Sequence, residues 1–221
     1  MRFRKLLVAT AAVVAAGAMA LAPAAQAAPT SVDVGGDSSN TSHVLNGVLK
    51  NASVNMQTVF GNIKLNCSSG SAAGTVNGGA IGNPVFEFTS LNLNCDSFIP
   101  GTTVSMQVTG CNVTADLTGG VSGGISTGTA HFSDSTGKAC VKVTVSSGCT
   151  LYIGGHVGVT FDNTVKAGGG QDFVLNGSGA TVFSNPAAPS GCLGTVSTGN
   201  ALTLNSVTFN LSSPDGAITV S

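Results

Sequence analysis

The chain predicts an all-β protein, a sandwich or barrel of short antiparallel strands whose glycine-rich loops are closed by disulfides. Three observations point there. Apolar residues recur at every second position in segment after segment, "VSMQVT" (104–109), "VKVTVS" (141–146) and "VGVTF" (157–161) among them, the period of a half-buried strand. Thirty-one glycines and a bias to β-branched residues both work against helices. Six cysteines, an even number, read as three bridges in an exported chain.

The first residues predict the export. Arg2, Arg4 and Lys5 make a basic start, Leu6 to Leu21 is an apolar run, and Ala25-Gln26-Ala27 supplies small residues where a signal peptidase reads. Residues 1–27 are therefore expected to be a signal peptide cleaved after Ala27, since a cut after Ala28 would leave Pro29 just past the scissile bond. The apolar run is too short for a comfortable membrane span. Residues 28–45 lack a clear period and predict a loosely ordered lead-in, and 46–221 predict a single all-β domain of ample length for one core.

Removal of the leader takes both arginines with it. Five lysines then face nine acids, a net charge of −4. No basic stripe remains to displace counterions from phosphates, which excludes nucleic acid as a partner, and no polybasic patch remains for anionic lipid. No later run of about twenty apolar residues predicts a transmembrane helix. Charged residues make up 8% of the chain, about a third of the usual share, so solubility must rest on Ser, Thr and Asn. The expected location is extracellular, with the cell envelope or an extracellular polymer as a possible contact.

The strands follow in order. "VFEF" sets Phe86 and Phe88 on one face and Glu87 on the other. Val104, Met106 and Val108 share a face, as do Val141, Val143 and Val145. "ALTLNSVTFNLS" aligns Leu202 with Leu204, then slips one residue before Val207, Phe209 and Leu211, the signature of a bulge.

The cysteines mark a degenerate repeat. Cys67 to Cys95 and Cys111 to Cys140 each enclose a glycine-rich passage ("GTVNGGAIG", "GGVSGGISTG") and then a phenylalanine-bearing strand. Cys149 to Cys192 has the same grammar over a longer interval. This predicts sequential pairing, Cys67–Cys95, Cys111–Cys140 and Cys149–Cys192, one of fifteen possible connectivities. The stretch "LNCSSGSAAGTVNGGAIG" (65–82) is expected to be a loop fastened by its thiol. Closing loops of this length stabilises by roughly 3–4 kcal/mol, most usefully where glycine makes ordering costly. Metal ligation is disfavoured, because no C-x-x-C pair occurs and no histidine sits at ligand spacing.

"LNCSSGSAAGTV" (65–76), "SSGCTLYIGGHV" (146–157) and "SGCLGTVSTGNALTLNSVTFNLS" (190–212) resemble a group of uncharacterised small secreted proteins common in high-GC Gram-positive bacteria. The resemblance implies export, disulfides and a β fold, and it transfers no functional residue. The pair Cys111 and Cys140 departs from that pattern.

Candidates for chemistry are few. Gly120-Val121-Ser122-Gly123-Gly124 matches G-x-S-x-G, but a nucleophile elbow needs a strand-to-helix turn, and no helix is predicted after it. "GGDSS" (35–39) lies in the lead-in. His43, His131 and His156 lack an obvious orienting carboxylate; Asp134 follows His131 by three residues and would project to the opposite face of a strand. His156 in "GGHVG" is expected beside a turn. Glu87 is the sole glutamate, and it is expected to face solvent without the partner acid that glycoside hydrolysis needs. Asp96, Asp116, Asp134, Asp162, Asp172 and Asp215 adjoin turn-forming residues. With no Trp and one tyrosine, Tyr152, neither a sugar-stacking platform nor the aromatic girdle of a membrane barrel is encoded. No catalytic or cofactor-binding residue is therefore assigned. The leading expectation is a non-enzymatic structural or binding protein. The alternatives are an extracellular hydrolase of esterase or glycosidase type and, behind it, a pore-forming envelope barrel.

Overall fold

The computed structural model describes residues 27–96 and 101–221. The predicted leader falls almost wholly on residues outside these. Alternating burial runs through thirteen strands, with no helix among the described residues: β1 (Ser31–Val34), β2 (Ser42–Thr58), β3 (Gly61–Asn77), β4 (Gly79–Ala80), β5 (Phe86–Asp96), β6 (Thr103–Val108), β7 (Val113–Ser122), β8 (Ile125–His131), β9 (Val141–Val145), β10 (Thr150–Asp162), β11 (Gln171–Phe183), β12 (Ala201–Ser212) and β13 (Ile218–Val220).

Ten of these strands form one closed antiparallel sheet, and β12 returns to pair with β2 from Leu202↔Met56 to Ser212↔Asn46. Two of the staves are interrupted. Strand β5 pairs with β6 over Asn92–Asp96 and with β7 over Phe86–Phe88, while β10 pairs with β9 at its start and with β8 beyond it. Counting β6–β7 and β8–β9 as one broken stave each gives an eight-stranded up-and-down barrel. Closure leaves the barrel no free sheet edge. Eight staves enclose a lumen narrow enough for side chains to fill or to leave room for one small ligand.

The lumen is apolar. Phe86, Phe88, Phe161, Phe173 and Phe209 are fully buried, and Phe86 lies against Phe161 and Phe173 with centroids 5.2 and 5.3 Å apart, within the favourable range for tilted rings. Leu91, Met106, Ile153 and Leu204 surround a mid-barrel void of about 30 Å³. The outer wall is built from amides, hydroxyls and lysines, such as Asn46, Lys50 and Gln57 on β2 and Asn62, Lys64 and Asn66 on β3. A transmembrane barrel has the reverse partition, apolar outside around a polar interior, so this wall speaks against a pore. No helix among the described residues is long and apolar enough to cross a membrane.

A small sheet, β13–β1–β4, closes one end. Val32, Val34, Ile218 and Val220 are at most 1% exposed. Buried Gln171 holds β13 in place. Its Oε1 accepts from the Ile218 N–H at 2.8 Å, and its Nε2 donates to the Ile218 carbonyl and, at 2.9 Å, to the Asn163 carbonyl. The Asn163 side chain does the same at Val220, accepting at 3.0 Å and donating at 2.7 Å. Two side-chain amides thus stand in for a missing neighbour strand.

Two stretches of backbone differ from the sequence reading. Residues 28–45 hold β1 and the start of β2, because four alternating residues ("SVDV") suffice once a partner strand covers them. The glycine-rich stretch 65–77 is not a loop but most of β3, paired on both sides. Small residues serve close approach there: a Cβ at Gly74, beside a register shift against β5, would stand 1.9 Å from the Glu87 carbonyl oxygen. The second glycine passage does turn, with Gly123 and Gly124 at φ 57° and 81° between β7 and β8, the left-handed pair a two-residue hairpin requires.

The bridges are Cys67–Cys95, Cys111–Cys140 and Cys149–Cys192. The first joins directly opposed residues of β3 and β5. The second spans the breaks between β6 and β7 and between β8 and β9. The third ties the start of β10 to the irregular segment 184–200.

Candidate functional site

Three places bring together side chains with chemical potential. The first is the end of the barrel opposite the cap. The β2–β3 turn, the starts of β6 and β10 and the segment around Cys192 converge there on a cavity of about 250 Å³. Its wall is mostly aliphatic, with Met56, Ile63, Leu65, Val104, Val145, Leu151 and Val196 in it. Among the described residues, the cysteines that line it, Cys149 and Cys192, are bridged to each other, and no charged side chain lines it. Two of its hydroxyls are satisfied locally: Thr58 Oγ1 donates to the Gly61 carbonyl at 2.8 Å and Thr195 Oγ1 to the Cys192 carbonyl at 2.6 Å. The Val59 N–H donates to the Thr195 carbonyl at 3.1 Å, which links the hairpin turn to the bridged segment.

The second place is a shallow groove on the outer wall, lined by Glu87, Asn112, Thr114, His131, Ser133 and Asp134. Strand register aligns Glu87, Thr114, His131 and His156 across β5, β7, β8 and β10. The partner of His131 is Asp116, at 3.2 Å from Nε2 to Oδ2. Asp134 turns instead into its own loop, accepting from the Thr136 hydroxyl and from the N–H groups of Thr136 and Lys138; these bonds, that from Thr136 first, hold its carboxyl below the usual range. Glu87 accepts from the Asn112 amide. His156 is exposed in mid-strand beside a register shift and not next to a turn. Asp116 likewise lies within a strand.

The third place lies beneath the cap. His43 is buried, its Nδ1 is 2.9 Å from Asp215 Oδ2, and its Nε2 is 2.9 Å from Thr41 Oγ1. Carboxylate, imidazole and hydroxyl stand in the order of a nucleophilic triad. The same bonds tie residue 43 to residue 215, and so join the start of the barrel to the segment leading into β13. Proximity of these residues was invisible in the sequence, where 172 positions separate the imidazole from its carboxylate.

The remaining candidates occupy structural positions. Ser122 stands at the tip of the β7–β8 hairpin, where the strand turns into another strand and not into a helix. Asp37 accepts from the Ser39 N–H in the β1–β2 turn. Asp172 takes both oxygens to Lys50 at 2.9 and 3.0 Å. Asp162, bonded first of all to Lys166 and then to the Thr164 N–H, has its pKa lowered to about 2. Tyr152 sits on β10 between Lys142 and Phe183, and Asp96 ends β5. No group of three metal-ligating side chains occurs among the described residues. Comparison with protein-family models, curated proteins and solved structures finds no match for the chain.

Proposed function

We propose that the protein is secreted and works by binding, without a catalytic step, as a rigid extracellular or envelope-associated barrel akin to the small secreted proteins its cysteine segments resemble. One observation carries this reading: most of the titratable side chains among the described residues are held in bonds on the outer wall or under the cap, whereas none of the described residues lining the cavity at the open end is charged. Three bridges in a chain with a leader-like start favour an oxidising compartment. Mass spectrometry of protein recovered from culture fluid should show a chain beginning at Ala28 with no free thiol. A full-length chain with reduced cysteines would sink the reading.

A hydrolytic role is the second reading, favoured by the Thr41–His43–Asp215 alignment. A fluorophosphonate probe separates the two. Binding alone predicts no covalent adduct, while attachment at Thr41, lost in His43→Ala, would establish the hydrolase.

A further inference from the structure

We infer that the open end of the barrel is a binding site for a neutral, medium-chain apolar molecule, such as an alkyl chain bearing an uncharged polar head. The inference rests on the reading of the protein as a binder and names what it binds.

The chemistry of the wall selects the ligand. Met56, Ile63, Leu65, Val104, Val145 and Leu151 give the site an aliphatic surface, and a charged group entering it would lose its hydration and meet no counter-ion among the described residues that line it. The size follows from the volume. A dry apolar cavity of ~150 Å³ takes up benzene, so scaling six carbons to this cavity gives about ten. Hydroxyl-bearing Thr102 and Ser147 also line the site, half-buried and exposed respectively, and suit a hydroxyl or carbonyl head.

The rim supplies a second, independent observation. Phe60 is 84% exposed, Val59 62% and Leu193 97%. They are three of the few large apolar side chains that the barrel leaves in water, and all three sit on segments joined at this mouth. Leu193 is moreover the one non-glycine residue among those described with a left-handed backbone, φ 50°, next to bridged Cys192. Such a conformation is strained for a residue that carries a Cβ and persists where the surroundings impose it, commonly at ligand clamps. A chain seated in the cavity would run out between these side chains and cover them.

The experiment titrates the folded, oxidised protein with n-alkanols from hexanol to hexadecanol, read by displacement of N-phenylnaphthylamine and by calorimetry. Binding should be tightest near decanol, and decanoate at neutral pH should bind about tenfold more weakly or worse. Val145→Phe, which fills the cavity from β9, should weaken decanol by about tenfold or more. Ser147→Phe, a filler placed at the exposed rim, should do the same and guards against misfolding of the first variant. The site is overturned if no alkanol binds, if binding survives both fillers, if affinity climbs without limit to hexadecanol, or if the protein only adsorbs to phosphatidylcholine vesicles. Turnover of a decanoate ester would overturn the non-catalytic reading and leave the site standing. Absent binding with absent turnover would remove the site and leave that reading.

Discussion

The two ends of the barrel are closed by different means. At the capped end, three short strands lie across the opening, and Gln171 and Asn163 complete their hydrogen bonds. Beneath them the phenylalanine rings fill the lumen. At the open end, the covering segment 184–200 has almost no ladder; it is fastened to β10 by the Cys149–Cys192 bridge and by one pair of backbone hydrogen bonds between Thr150 and Ser190, and the lumen beneath is aliphatic and incompletely filled. An end covered by regular strands satisfies its backbone groups internally and buries large side chains well. An end covered by irregular chain gains little from either source, so a cross-link that limits the unfolded ensemble has more to contribute. The same looseness leaves room for a ligand.

Substitutions can break this contrast from either side. The largest effect is expected from Phe86→Ala, because that ring contacts Phe88, Phe161 and Phe173. Chemical denaturation should show a loss near the top of the range of about 3–5 kcal/mol for such truncations. Replacing Cys149 and Cys192 together by serine should cost somewhat less, up to about 4 kcal/mol for a loop of this length. Hydrogen exchange should then show the loss of protection starting at the mouth, with β13 still protected. Uniform loss at both ends would mean that the ends are not independent. Gln171→Leu, which keeps the volume but orphans the amide and carbonyl of Ile218, should cost roughly 2 kcal/mol and release β13 first.

The smallest effect concerns acid. Asp162, beside the cap, has its pKa lowered to about 2, chiefly by the hydrogen bond from Lys166. A depressed carboxyl stabilises the fold at pH values above its unfolded pKa, near 4, and that contribution fades as pH falls toward 2. Both side chains are partly exposed, so the contribution is under about 1 kcal/mol. Asp162→Asn should flatten the fall in stability between about pH 4 and pH 2, and a variant that tracks the parent throughout would show the pair to be idle.

Much of the wall was legible from residue order. Alternation marked the faces of β6, β9 and β10, and the slip between Leu204 and Val207 is a register shift in β12 against β2. The stretch 65–77 misled because glycine and serine are ordinary loop formers, whereas here they let β2, β3 and β5 approach closely. The candidate site was less legible. Val104 shares a strand face with Met106 and Val108 by alternation, and nothing in the order of Met56, Leu65, Val104 and Leu151 says that the lumen between them stays incompletely filled. Likewise Asp116 and Asp215 read as turn formers, because their histidine partners lie on other strands or far along the chain.

By itself, the sequence determined the strand character and inward face of the clearly alternating segments, the sparse charge and the thiols available for bridging. All of these are local, set by side-chain chemistry and a two-residue period. Tertiary structure alone decided that the sheet closes on itself, that regular strands cover one end and irregular chain the other, and that imidazoles meet particular carboxylates. Those outcomes depend on strand register and on contacts between residues far apart in the chain, and alternation leaves register open until the strands meet.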